Sequence, residues 1–277
     1  MMAHREQIPP DRTATMLKFL ISLSIVTLFT AELLGDEPSS PTIRVLTYNI
    51  HHGEGTDEKL DLARQAAVIR KADPDFVALQ EVDRNTNRTG NVDQTAELAR
   101  LTNMHGYFFK QIDYDGGEYG QAILSKAEIL ERAQQMLPGT PERERRLLAR
   151  GLFPVGETKL WFATTHLHHA NDSIREDQVK ALNELFATIA TPELPAIVSG
   201  DFNAVPESNA MKEIAQAWKI SGADQKLLTF PAVTPDRQID YVIVRPTNKF
   251  RIISISVIDD GVASDHRPLL VEIAITP

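Results

Sequence analysis

Residues 43–80, IRVLTYNIHHGEGTDEKLDLARQAAVIRKADPDFVALQ, change their apolar period twice. Residues 43–49 (IRVLTYN) are β-branched and apolar and read as a strand. A helix near 57–72 follows, with Leu62, Ala66 and Ile69 at i, i+4 and i+7, and Pro74 stops it. Residues 75–80 (DFVALQ) then read as a short buried strand. Strand, helix and strand in succession predict a layered α/β domain.

The pattern continues outward from that unit. A helix is expected near 92–103, then strands near 107–111 and 120–125. Residues 145–153 and 159–167 read as a strand pair around a turn at Gly156. An amphipathic helix spans 173–190, with Leu182, Leu185, Phe186 and Ile189 on one face and a capping box from Ser173 and Glu176. A strand at 196–199, a helix at 207–218 and strands at 239–244, 250–258 and 269–275 complete the chain. Early strands alternate with helices and late strands come in hairpin-like runs. The expectation is an α/β (α+β) domain, with two packed mixed sheets and helices outside.

Bulk properties narrow the possibilities. The 277 residues are 42% hydrophobic and 24% charged, ordinary values for a globular chain with a sizeable core. From residue 43 onward there is no repeat, low-complexity stretch or long linker, so one domain over 43–277 is expected. The net charge of −9 shows no basic footprint of the kind a tight nucleic-acid binder carries. Cysteine is absent, which excludes disulfides, thiolate metal sites and a cysteine nucleophile. At the N-terminus, Arg5, Arg12 and Lys18 precede an apolar run from Phe19 to Ala31 that Glu32 interrupts. This reads as a signal peptide over 1–35 that exports the chain, the alternative being a membrane anchor at 16–35. Residues 36–42, containing DEPSSP, read as a linker.

Polar residues gather at the ends of the apolar strands. They are Asn49 in TYNIHHG, Glu81 in LQEVD, His166 in TTHLHH, Asp201 and Asn203 in VSGDFNA, Asp240 in QIDYVIV, and Asp265 with His266 in SDHRPL. One rim of a sheet collects the ends of several strands, so residues distant in sequence can share a pocket. Oxygen-rich donors of this kind suit a hard cation, Mg²⁺ or Mn²⁺. Glu81 is the first choice as ligand, because a lone carboxylate after a buried strand is costly unless paired. Asn49, Asp201 and Asp265 are placed to complete the shell. Each motif also has a bland reading. Glu81 alone reads as a turn residue, GDFN as a turn, and Asp265-His266 as a surface loop. His51 and His52 are ambiguous in the same way, and His166, His168 and His169 read as one functional residue with two bystanders. Arg84, Arg88, Arg145, Arg146 and Arg150 are candidates for binding phosphate, or simply solvated charge.

The ordered set is more specific than its members. TYNIHHG, LQEVD, YGQAILS, THLHH, GDFNA, IDYVIV and SDHRPL, in this order over residues 43–275, resemble the endonuclease/exonuclease/phosphatase superfamily. That superfamily includes deoxyribonuclease I, abasic-site endonucleases, inositol polyphosphate 5-phosphatases and neutral sphingomyelinases. The resemblance implies a deoxyribonuclease-I-like four-layer sandwich and a metal-dependent phosphoesterase. It implies Glu81 as principal metal ligand, with Asn49 and Asp265 completing the metal environment. It implies that Asp201 orients or deprotonates the attacking water, with Asn203 positioning it. It also implies that His266, held by Asp240, and His166 contact the phosphate, and that Glu118 is a carboxylate partner for His166. Arg84 and Arg146 are carried as supporting residues. The substrate is expected to be a phosphate ester in a nucleic acid, a phospholipid head group or a small phosphodiester. A phosphomonoester such as an inositol phosphate and a non-catalytic binding module are the alternatives. A monomer without an obligate partner is expected.

Overall fold

In a computed structural model, residues 41–140 and 145–276 are described. The expected signal peptide or anchor lies outside the described residues. Two six-stranded sheets pack face to face. The first contains Thr42–Asn49 (β1), Phe76–Arg84 (β2), His105–Tyr114 (β3) and Gly117–Ser125 (β4), with Phe250–Val257 (β11) and Leu269–Ile275 (β12). The second contains Glu131–Met136 (β5), Leu147–Val155 (β6), Thr158–His166 (β7), Ala196–Asp201 (β8), Lys219–Ile220 (β9) and Asp240–Arg245 (β10). Helices Leu62–Ala72 (α1) and Gln94–Thr102 (α2) cover the first sheet, and Asp172–Ile189 (α3) and Asn209–Ala217 (α4) cover the second. The result is a deoxyribonuclease-I-like sandwich, helix, sheet, sheet and helix. Among the described residues no helix is long and apolar enough to cross a membrane.

Strand alternation builds the layers. Ile43 and Val45 face the apolar space between the sheets, while Leu46 and Tyr48 face α1 and α2. In β8, Ile197 faces between the sheets, and Ala196 and Val198 face α3 and α4. Deleting a buried side chain such as Phe162 from the central layer costs about 3–5 kcal/mol by the usual cavity penalty.

The helix ends follow local chemistry. Asp61, Asp93 and Ser208 cap α1, α2 and α4 by accepting backbone N–H groups. The expected capping box on α3 is not formed. Asn171 is its N-cap, accepting from the Ile174 N–H, two residues earlier than the Ser173 and Glu176 box requires. The strand Glu131–Met136 is absent from the sequence reading, because its sequence ERAQQM is polar and it lies at a sheet edge.

Two pairs of strands are parallel, β1 with β2 and β7 with β8, each joined through a helix. Their carboxyl ends meet at one rim. The antiparallel β10 begins there, with Asp240 opposite Asp201, and β12 is entered from there, with Leu269 opposite Thr47. Gly200 permits the close approach of β7 and β8, since a Cβ on it would collide with the Thr165 carbonyl oxygen.

Candidate active site

Period two decides which side chains enter the rim. Asn49 continues the inward face of Ile43 and Val45. Asp201 continues that of Ile197, His166 that of Phe162, and Asp240 leads into Val242. Beneath them lies a buried polar layer. Gln80 Nε2 donates to Thr164 Oγ1 at 2.9 Å, and Gln121 Nε2 donates to the Leu147 carbonyl at 3.0 Å. This layer divides the apolar core from the ionisable groups above it.

Glu81 would face the helices by simple alternation. A β-bulge between Leu79 and Val82 breaks the register with β4, and Glu81 has a left-handed backbone, φ 58°. Bulges of this kind re-aim a side chain. Asn49 Nδ2 donates to Glu81 Oε1 at 3.1 Å and to Asp201 Oδ2 at 3.2 Å. At the rim, the Asn49 amide thus links a carboxylate of the first sheet to one of the second.

Asp201 is the hub. Its Oδ1 accepts the Asn203 N–H at 2.8 Å, and its Oδ2 lies 3.4 Å from His166 Nε2 and 3.7 Å from His266 Nε2. Burial pushes its carboxyl up to about 7, with Asp240 and Glu81 adding to the rise against the pull of His266. Asn203 gives its Nδ2 to the Leu167 carbonyl at 3.1 Å and lines the pocket.

The two histidines beside Asp201 are set in opposite states. Asp240 Oδ2 is 3.0 Å from His266 Nδ1. Burial opposes charge on that ring, but Asp240, Asp201 and Asp265 outweigh it and carry His266 up to about 10. Arg146, itself buried, donates from Nη1 to His166 Nδ1 at 2.9 Å. A guanidinium only donates, so this nitrogen accepts and the ring proton sits on Nε2, facing Asp201. Burial first, then Arg146 and His266, push His166 well below the ordinary histidine range.

Two expectations are corrected. Glu118 does not reach His166. It pairs with Arg84 and, at 3.3 Å, with Lys110. Alternation in β4 puts Tyr119 and Gln121 on the inner face, so Glu118 faces outward. Arg84, past the bulge, lies opposite it and stacks on Phe108 outside the pocket lining. Arg146 occupies the place beside His166 that Glu118 was expected to fill.

The pocket has a volume of about 470 Å³, and its lining includes Glu81, Asp265, Arg146, His169, Phe230 and Arg237. Phe230 packs on His266 with ring centroids 4.7 Å apart. Phe230, Arg237 and Tyr119 were missed from sequence; the signal for the first two was an aromatic and an arginine just ahead of QIDYVIV. His168 is structural, its Nδ1 accepting the N–H groups of Ala170 and Asn171 at 3.1 Å each. Arg88 is clamped by the buried Asp83 at 2.7 and 2.8 Å, Arg145 is exposed, and Arg150 stacks on Trp161.

The donor set fits a divalent cation. Glu81, Asp201 and Asp265 line the pocket, Asp240 stands behind His266, and the buried Asp240 Oδ1 accepts no hydrogen bond. Such crowded carboxylates are costly without a positive charge.

A model of the Endonuclease/Exonuclease/phosphatase family matches residues 46–266. The chain belongs to this family. It is accordingly a phosphoesterase hydrolase, and the family is divalent-metal-dependent. No curated protein sequence matches. Solved structures share the fold. A family member from Beutenbergia cavernae is 22% identical, with TM-score 0.69, over 85% of this chain and 72% of that one. A mannosyl-6-phosphatase from Bacteroides thetaiotaomicron is 19% identical, with TM-score 0.70, over 84% and 100%. The human Nocturnin catalytic domain is 21% identical, with TM-score 0.67, over 85% and 94%.

Proposed function

We propose that this chain hydrolyses a small or exposed phosphodiester, with Mg²⁺ or Mn²⁺ held by Glu81 and with Asn49 and Asp265 completing the metal environment. The observation that carries the reading is Asp201, whose Oδ2 lies within 3.7 Å of groups on Asn49, His166 and His266. A bound cation supplies positive charge against the non-bridging phosphate oxygens. His166 and His266 have their Nδ1 atoms taken up by Arg146 and Asp240, so of these three Asp201 presents the acceptor to the pocket and takes the proton of the attacking water. His266 has committed Nδ1 to Asp240 and carries positive charge, so its Nε2–H donates to a phosphoryl oxygen. His166 donates from Nε2 on the opposite side, oriented by Arg146. Asn203 positions the water and the phosphate. Exclusion of a long duplex follows from the size of the pocket and the net charge of −9.

A second reading, a phosphomonoesterase, is favoured by Arg146, Arg237 and His169 on the pocket wall, which suit a doubly charged phosphate. The similar fold of a mannosyl-6-phosphatase supports it. Turnover of bis-p-nitrophenyl phosphate, p-nitrophenyl phosphate, nucleic acids, sphingomyelin and inositol phosphates with Mg²⁺, Mn²⁺, Ca²⁺ or EDTA decides between them. Diesters turning over faster supports the first reading and monoesters faster the second. Full activity in EDTA, or in Asp201→Asn, sinks both. Residues 1–35 are proposed to direct export, supported by their basic start and apolar run. An N-terminus that still carries the apolar run from Phe19 to Ala31, with retention in the membrane fraction, overturns cleavage and favours the anchor.

A further inference from the structure

Beside the catalytic pocket, His51, His52 and Glu81 bring one ligand atom each within 4.8 Å of one another. Glu81 lines the catalytic pocket, whereas His51 and His52 do not. The two rings sit edge to face with centroids 4.4 Å apart. A second carboxylate stands at the margin, with Glu54 Oε2 3.7 Å from His52 Nε2.

Two further observations set this cluster apart. His51 Nδ1 is shielded from solvent and has no hydrogen-bond partner. A buried polar nitrogen left so costs about 1–3 kcal/mol, and a cation would remove that cost. The backbone is also left-handed at all three residues, φ 45° at His51, 46° at His52 and 58° at Glu81. Among the described residues, every other non-glycine at positive φ is Asn or Asp, except Glu58. Asn and Asp tolerate this region, while other residues pay strain that the surroundings must hold. The surroundings do hold it. Gln94 Nε2 donates to the His52 carbonyl at 2.6 Å, and Asn49 Oδ1 accepts the His51 N–H at 3.1 Å. The turn spends strain to aim two imidazoles at one carboxylate.

We propose that His51, His52 and Glu81 hold a second divalent cation, a transition ion that accepts nitrogen ligands, of the Zn²⁺ class. Imidazole suits such ions, whereas the oxygen-rich pocket suits Mg²⁺ or Mn²⁺. Ligand bonds of about 2 Å require only a small closing of the three side chains. Glu81 is shared, so the two cations would sit on one carboxylate, the arrangement of two-metal phosphoesterases. The inference goes beyond the single-cation reading and shares only Glu81 with it, because His51 and His52 play no part there.

The test is equilibrium dialysis of the full chain against Zn²⁺ and Co²⁺, with metal counted per chain and the visible Co²⁺ spectrum recorded. The variant is His51→Asn/His52→Asn, because Asn keeps the left-handed backbone and removes the imidazoles. His169→Asn controls for adventitious binding by the histidine at the pocket wall. The expected result is one ion fewer in the double variant, loss of the imidazole-dependent Co²⁺ absorption, and no change in His169→Asn. Equal counts in wild type and double variant overturn the proposal, as does an equal loss in His169→Asn. Loss of the oxygen site reads differently, as one ion in wild type and none in the double variant.

Discussion

The two walls of the pocket carry the same side chain in opposite states. On one wall His166 meets a guanidinium and is held neutral; on the other His266 meets a carboxylate and is held charged. Both are buried and both face the same oxygen of Asp201. Burial favours the neutral ring equally in the two places, so the difference comes from the partner on Nδ1. One imidazole therefore serves as an oriented neutral donor and the other as a fixed positive charge.

The largest way to break this comparison is to remove the charged wall. His266→Asn is expected to lower kcat by about 100- to 1000-fold, the usual cost of one preorganised donor, and His166→Asn by only about tenfold. Equal losses in steady-state kinetics would erase the distinction. Asp240→Asn leaves the ring in place without its counter-charge, and an intermediate loss of roughly 100-fold is expected, deeper at pH 8 than at pH 6.

The same pair has a stability signature. The folded pKa of His266 is about 10 against 6.5 for an unperturbed ring. Its stabilisation is therefore complete below pH 6.5 and lost as pH rises through 10. Urea melts in EDTA should show stability falling over that window in wild type and a flatter profile in Asp240→Asn. On the other wall, Arg146→Met frees His166 Nδ1. The pH–rate profile should gain an ionisation nearer 6.5 and kcat/KM should fall about tenfold; an unchanged profile would remove Arg146 from its positioning role. Saturating Mg²⁺ should raise the melting temperature, since a hundredfold excess over Kd is worth about 2.7 kcal/mol, and the rise should vanish in Glu81→Ala. The smallest effect belongs to Arg84→Ala and Glu118→Ala, a partly exposed pair worth about 0–1 kcal/mol, with turnover within about twofold of wild type.

Most of the rim was legible because it obeys local rules. IRVLTYN, WFATTH and AIVSGD are apolar strands that end in a polar residue, and period two places Asn49, His166 and Asp201 on the inner face. Glu118 was misread for a reason the same rule supplies. It sits one residue from the inward Tyr119, and a shift of one residue crosses the sheet. The polar edge strand ERAQQM carries no apolar period and gave no signal.

The sequence alone determined the layered fold, the ordered strand ends and the oxygen-rich, cysteine-free chemistry, because these depend on residue type and short-range periodicity. Tertiary structure alone decided three things. The bulge and left-handed backbone turn Glu81 into the site against its own alternation. Arg146 reaches His166, and Asp240 reaches His266, across 20 and 26 residues of chain. The charge of each histidine follows from that pairing, because an electrostatic environment is set by neighbours in space.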